Sequence, residues 1–380
     1  MKGLSIALLL CLVFTMLPVS AGAVDMNIPA KSALLMDIAT GTVLYEQNAH
    51  ERLAPASVTK VMTMLLIMEA IDSGKISWND TVIASEAAAA KGGSQIYLKV
   101  GESMTVTDML KSIAVSSAND CACAMAEHLA GSEAAFVDMM NARAAELGMN
   151  DTHFVNCTGL DDDPAAKEHL TSAYDIALMS RELMKNHPDI QKFTTIWMDT
   201  VRNGTFGLSN TNKLVRFYPG ATGLKTGFTS TAGYCLSATA QRDGLALVAV
   251  VMGSATSQER FAACKQLLDY GFANYAAVSP EIDPQAIPVK LGTAGIVQAV
   301  PAQQPQLLVD KSQRDQVHTE ITLDQSVSAP VSKGQRLGTL SVKVGEHTIA
   351  QIPLVAADAV PRLTWSDLFL MVLRRIAMAK

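Results

Sequence analysis

The chain of 380 residues has the length of about two or three domains. Apolar residues make up 49% and charged residues 17%, which supplies a large core and excludes a disordered or collagen-like chain. The net charge is −6, and Lys and Arg cluster only at the last residues, so nucleic acid is not expected as a partner.

At the N-terminus, Lys2 precedes an apolar run from Ile6 to Leu17, Pro18 breaks it, and Ala21-Gly22-Ala23 fits a small-x-small cleavage site. This predicts a signal peptide over residues 1–23 and an exported protein. The run is too short for a transmembrane helix, and an uncleaved anchor is the alternative. Five cysteines follow: Cys121, Cys123, Cys157, Cys235 and Cys264. Their odd number leaves at least one unpaired, and Cys121-Ala-Cys123 is not a zinc or thioredoxin pattern, so they read as buried thiols. The seven histidines form no His-x-His or His-Glu-x-x-His, and no metal or other cofactor is expected.

Two alternating runs, Ser32–Asp37 and Thr42–Glu46, flank a Gly41 turn and predict a β-hairpin. Pro55 and Gly74 bracket an apolar helix over 61–71. From Ile83 to about Met149 the chain reads as mostly helical, and Thr171–Met184 is an amphipathic helix capped by Thr171 or Ser172. Strands are expected over Tyr218–Gly227, Tyr234–Gln241 and Leu245–Met252, the last two joined at Arg242-Asp-Gly244. A helix follows over Ser257–Tyr275. Helices inserted between early and late strands predict an α/β sheet with a helical subdomain over 24–278. Ser279-Pro280 marks a boundary. Val, Ile and Thr alternation then predicts a small all-β sandwich over 279–360, with a separate helix over 361–380.

Three short motifs carry chemical potential. Ser57-Val-Thr-Lys60 stands at a helix start, where positions i and i+3 share a face and Lys60 can reach Ser57. The helix N-terminus favours a developing alkoxide, and a lysine in a cleft beside other cations can lose its proton and act as a base. About one Ser-x-x-Lys arises by chance in such a chain, and an N-cap serine beside a solvated lysine is the plain alternative. Ser117-Ala118-Asn119 interrupts an apolar stretch. Its hydroxyl can relay a proton and its amide can hold a substrate carbonyl, although helix capping explains such residues equally. Lys225-Thr226-Gly227 ends a strand. A cation, a hydroxyl and a bare backbone there suit strand addition by an extended peptide bearing a carboxylate, unless the lysine is simply exposed at a turn.

The order Ser-x-x-Lys, Ser-x-Asn, Lys-Thr-Gly is shared by penicillin-binding proteins and class A β-lactamases. The chain resembles the low-molecular-mass penicillin-binding proteins, the serine D-alanyl-D-alanine carboxypeptidases. The resemblance runs over Ala54-Pro-Ala-Ser-Val-Thr-Lys60, Asn119-Asp120, Thr152-His-Phe154, Thr171-Ser-Ala-Tyr-Asp175, Gly223-Leu-Lys-Thr-Gly-Phe-Thr229 and Ala232-Gly233, and includes the trailing β domain and helix. Thr158, Ala118 and Phe228 depart from it, at positions where His, Gly and His occur in members.

The resemblance implies acyl transfer from a peptidoglycan stem peptide ending in D-Ala-D-Ala, with β-lactams as covalent inhibitors. Ser57 would be the nucleophile. Lys60, kept neutral by Lys225 and burial, would be its base, and Ser117 would pass a proton to the leaving amine. Asn119, Lys225, Thr226, Gly227 and Phe228 would bind substrate, the backbone N–H groups of Ser57 and Phe228 forming the oxyanion hole. Arg260 is a lesser carboxylate candidate, read more simply as a surface residue on a helix. A β-lactamase would need a Glu-x-x-Leu-Asn segment, which the chain lacks. A transpeptidase would carry a large N-terminal module. An idle wall-binding protein would not keep this motif set.

The last segment opens with Thr364-Trp-Ser-Asp367, the form of a capping box. Trp365, Leu368, Phe369, Val372 and Ile376 follow helical spacing, and Arg374, Arg375 and Lys380 lie near its end. This predicts an amphipathic helix lying on a membrane surface, holding the protein at the outer face of the cytoplasmic membrane, with docking on the β domain as the alternative.

Overall fold

The computed structural model describes residues 26–378; the expected signal peptide lies outside the described residues. The chain divides into two compact units, one ending at Ala277 and the other starting at Val278.

The principal elements of the first unit are β1 (Ser32–Asp37), β2 (Val43–Gln47), α1 (Lys60–Asp72), α2 (Val106–Ser116), α3 (Asn119–Ala130), α4 (Glu133–Glu146), α5 (Ala173–Asn186), β3 (Ala221–Thr229), β4 (Gly233–Arg242), β5 (Leu245–Ser254) and α6 (Ser257–Asn274). The five strands form an antiparallel sheet in the order β2-β1-β5-β4-β3, so the first hairpin pairs with the last strands in sequence. Strand β5 is the centre. Its run Leu-Ala-Leu-Val-Ala-Val-Val-Met has no polar side because both faces are covered. Leu34, Met36, Val248, Val250 and Met252 join the core shared with the helical subdomain. On the other face, Leu35 and Leu247 meet α6 at Gly271, where a Cβ would lie 2.5 Å from Leu247 Cδ1.

Helix α1 is buried along almost its whole length. A helix apolar all round must be enclosed, and here the other helices enclose it. The β4–β5 hairpin is as the sequence predicts: Arg242 pairs with Leu245, and Asp243 (φ 48°) and Gly244 (φ 82°) make a two-residue turn of type I′ geometry. Ser172 caps α5 through the Asp175 N–H, and α6 opens with a Thr256/Glu259 capping box.

The expected helical stretch from Ile83 to Met149 is interrupted. Residues 91–102 carry no helix, and a two-stranded ribbon pairs Thr81–Ile83 with Ser103–Thr105. Asp120 explains the break. Its buried carboxylate accepts hydrogen bonds from the N–H groups of Ile96 and Leu98, which a helix would have used internally.

The second unit contains β6 (Gln285–Lys290), β7 (Ile296–Pro301), β8 (Val317–Leu323), β9 (Val327–Ser328), β10 (Arg336–Val344), β11 (His347–Ala356) and α7 (Trp365–Met378). The strands make one six-stranded sheet in the order β8-β10-β11-β7-β6-β9. Alternate residues, among them Ile287, Val297, Leu340, Val342, Ile352 and Leu354, meet in a separate core. Residues 361–363 remain tied to this unit through Thr293 N–H to Pro361 O and Leu363 N–H to Leu291 O, both 2.9 Å. The Thr364/Asp367 capping box forms: the Thr364 N–H donates to Asp367 Oδ2 at 2.8 Å and the Asp367 N–H to Thr364 Oγ1 at 3.3 Å. Trp365, Phe369, Leu370, Leu373 and Ile376 are all exposed. No helix among the described residues is long and apolar enough to cross a membrane.

Candidate active site

Pro55 leads into a 3-10 turn over Ala56–Thr59 that runs directly into α1 at Lys60. Ala56 takes a left-handed φ of 47°, an uncommon state for a residue with a Cβ. Lys60 Nζ lies 2.9 Å from Ser57 Oγ and donates to the Thr158 carbonyl at 2.8 Å. The lysine is 0% exposed. Burial pulls its pKa down to about 7, against weaker upward pulls from Cys157 and Asp120. An amine in that range is substantially neutral at neutral pH and able to accept the serine proton.

The Thr158 carbonyl is held by a tight turn. Asn156 Oδ1 accepts the N–H groups of Thr158 (3.1 Å) and Gly159 (2.7 Å), and Asn156 Nδ2 donates to Leu160 O at 2.9 Å. Gly159 has φ +78°, and a Cβ there would lie 1.9 Å from the Ala56 carbonyl oxygen. The turn therefore lies directly against the segment that presents Ser57, a contact open only to glycine.

Ser117 follows α2 with φ 63°, and its buried hydroxyl has no hydrogen-bond partner among the described residues. Asn119 begins α3. Its Nδ2 donates to Gly92 O at 2.8 Å, while its buried Oδ1 has no partner among the described residues. A Cβ on Gly93 would meet both Asn119 Nδ2 (2.8 Å) and Leu160 Cδ2 (3.2 Å), which places Asn119 beside the Thr158 turn.

Strand β3 closes the arrangement. A Cβ on Gly227 would lie 2.6 Å from Pro55 O and 3.1 Å from both Ser57 N and Val58 N, so this strand runs against the backbone of the serine turn. Lys225 is buried, with Nζ donating to Thr226 O at 2.8 Å. Burial, then Lys60, then Arg260 hold it well below the ordinary lysine range. Burial rather than Lys225 is the leading cause at Lys60; the repulsion between the two lysines falls on Lys225. Thr226 Oγ1 donates to Thr211 Oγ1 at 2.7 Å. Phe228 is 54% exposed and stacks on Tyr234 at 4.3 Å between ring centroids.

Arg260 corrects the expectation of a surface residue. It is buried, and Nη1 donates to the carbonyls of Gly227 (2.9 Å) and Cys235 (3.2 Å), with Nε left without a partner among the described residues. Five donors on one planar group allow it to bind two strands at once and retain a free N–H.

Ser57, Lys60 and Gly227 thus meet directly; Lys225 is coupled electrostatically to Lys60, and Asn119 reaches the same centre through the Thr158 turn. Thr158, Asn156, Asp120 and His169 stand outside the three motifs that the sequence marks. Thr158 acts through a backbone carbonyl, which has no residue signature. The five cysteines are free and buried, and burial pushes each thiol up. Among the described residues, Glu69, Glu182 and His187 come close enough to share a metal ion, but Arg143 already donates to both glutamates at 2.8 and 2.7 Å.

The chain's relatives agree with this geometry. Residues 19–256 match the D-alanyl-D-alanine carboxypeptidase family of S11 peptidases, and residues 281–362 match the C-terminal domain of penicillin-binding protein 5. D-alanyl-D-alanine carboxypeptidase DacF of Bacillus subtilis (strain 168) is 45% identical over 336 residues, covering 87% of this chain and 85% of the relative. The crystal structure of penicillin-binding protein 5 from Haemophilus influenzae has a TM-score of 0.74 at 30% identity and covers 90% of this chain and 100% of that one. Penicillin-binding protein D2 from Listeria monocytogenes in its ampicillin-bound form has a TM-score of 0.60 at 33% identity, covering 66% of this chain and 100% of that one. With a serine–lysine pair under a Lys-Thr-Gly strand, and with matches across both units, the chain belongs to the D-alanyl-D-alanine carboxypeptidase family of penicillin-binding proteins.

Proposed function

We propose that this protein removes the terminal D-alanine from peptidoglycan stem peptides ending in D-Ala-D-Ala, through an acyl-enzyme on Ser57. The observation that carries the reading is the fully buried Lys60, 2.9 Å from Ser57 Oγ and held at a pKa of about 7. Ser57 Oγ attacks the carbonyl carbon of the penultimate residue while its proton passes to Lys60 Nζ. The peptide C–N bond breaks, and the leaving amine takes a proton relayed by Ser117, whose hydroxyl has no competing partner among the described residues. Water then hydrolyses the ester and Ser57 regains its proton.

Substrate enters as an added strand along β3. The terminal carboxylate is held by Lys225, Thr226 and the free N–H of Arg260. Asn119 holds the peptide amide, and the backbone N–H groups of Ser57 and Phe228 face the developing oxyanion. The approach of Gly227 to Ser57 N supports this pairing. Phe228 adds an exposed apolar face beside the cleft. β-Lactams acylate the same serine, a reading supported by the ampicillin-bound relative.

Export by the N-terminal signal and attachment of α7 to the outer face of the cytoplasmic membrane complete the reading. The exposed apolar residues of α7 support it. The test is incubation with a fluorescent penicillin and mass mapping of the labelled peptide, together with D-alanine release. Label is expected on Ser57, and Ser57→Ala should lose both label and release. Label on another serine, or label that persists in Ser57→Ala, would sink the assignment.

A further inference from the structure

His169 lies outside the three motifs, yet it is buried next to them. Its Nε2 is 2.7 Å from Thr59 Oγ1, and its Nδ1 accepts the Val155 N–H at 3.1 Å. Because Nδ1 accepts, Nε2 carries the ring proton and donates to Thr59. Thr59 Oγ1 in turn donates to the Ala56 carbonyl at 2.8 Å. Burial, His153 and Lys60 hold the imidazole down at a pKa of about 4, which keeps this neutral tautomer in place.

The backbone around His169 makes the same connection. Thr171 exchanges hydrogen bonds with Leu53 at 2.8 and 3.0 Å, just before the serine turn. Leu170 exchanges them with His153 at 2.8 and 3.1 Å, five residues before the Thr158 carbonyl that holds Lys60. The segment 169–171 therefore straps together two stretches: 53–59, which presents the nucleophile, and 153–158, which aims the base.

We propose that His169 and Thr59 are positioning residues that lock the strained Ala56–Ser57 turn against the Thr158 turn and so fix the Ser57–Lys60 geometry. Neither touches substrate. The proposal rests on the reading of Ser57 as nucleophile and goes beyond it by assigning the device that holds serine and lysine in register.

The test uses Thr59→Val, Thr59→Ser, His169→Asn and the Thr59→Val/His169→Asn double variant, with fluorescent-penicillin acylation of Ser57 and kinetics on a D-Ala-D-Ala peptide. Thr59→Val keeps the side-chain volume and removes the hydroxyl. Misplacement of a nucleophile by a fraction of an ångström should slow acylation about tenfold to a hundredfold, in kcat rather than KM. His169→Asn should act in the same direction, and Thr59→Ser should restore acylation to within about threefold of the parent. The double variant should be no slower than Thr59→Val alone, because both changes break one chain of hydrogen bonds. Folded Thr59→Val and His169→Asn proteins that acylate at the parent rate would overturn the proposal, as would fully multiplicative losses. Parent protein that labels at a residue other than Ser57 would instead overturn the nucleophile assignment and, with it, this proposal.

Discussion

Below a pH of about 7 the Lys60 ammonium keeps its proton and cannot take one from Ser57. The value of kcat/KM, which reports the free enzyme, should therefore rise with pH through an apparent pKa near 7, a limb read between about pH 5 and about pH 9. A flat profile over that range would mean another group is the base. Burial sets this limb, because the repulsion between the two lysines falls on Lys225, which is held well below the ordinary lysine range. Lys225→Ala should therefore leave the limb near 7 while raising KM for the carboxylate-bearing peptide. Unchanged kcat/KM would remove Lys225 from the carboxylate role. Ser57 and Lys60 were legible at this scale because helix geometry alone brings i and i+3 together. The buried state of Lys60 was not, since a lysine near a helix start reads equally well as solvated.

Strand β3 and the turn before α1 are the elements whose contact makes the cleft. Gly227 is what allows it: a methyl there would press on Pro55 O and on the N–H groups of Ser57 and Val58. Gly227→Ala should force the strand off the turn. It should slow penicillin acylation by about a hundredfold and reduce stability by about 1–3 kcal/mol in chemical denaturation. Parent-like acylation in the folded variant would show that the strand is free to shift without consequence. Arg260 stabilises the same strand through the Gly227 and Cys235 carbonyls. The β-hairpins and α5 were readable from period and turn chemistry. The stretch 91–102 reads as helix from its sequence but is not one, because its backbone partner, Asp120, lies some twenty residues away and only the fold brings it near.

At the scale of the molecule, each unit has its own core, and α7 begins only after residues 361–363 have paired with the β unit. Removal of the helix should therefore begin after Leu363, which leaves that pairing intact. The shortened protein should keep its kcat/KM on small peptides and stop sedimenting with anionic vesicles, because Trp365 and the apolar residues behind it are gone. A shortened protein that still sediments would show that α7 is not what holds the membrane surface. The β unit itself contributes none of the residues assigned to chemistry.

The sequence by itself determined the family, the serine and lysine, the Lys-Thr-Gly strand and the terminal capping box, because each is written in consecutive residues whose spacing is a local property of helix, strand or turn. Only the tertiary structure decided what surrounds them. The Thr158 carbonyl that holds Lys60 is 98 positions away, and the His169 ring that reaches Thr59 is 110 positions away. Arg260, polar and on a helix, reads as solvent-facing until folding places two strand carbonyls against it. A backbone carbonyl is the same in every residue, and burial is a property of what packs around a side chain; neither can be inferred from the identity of the residue alone.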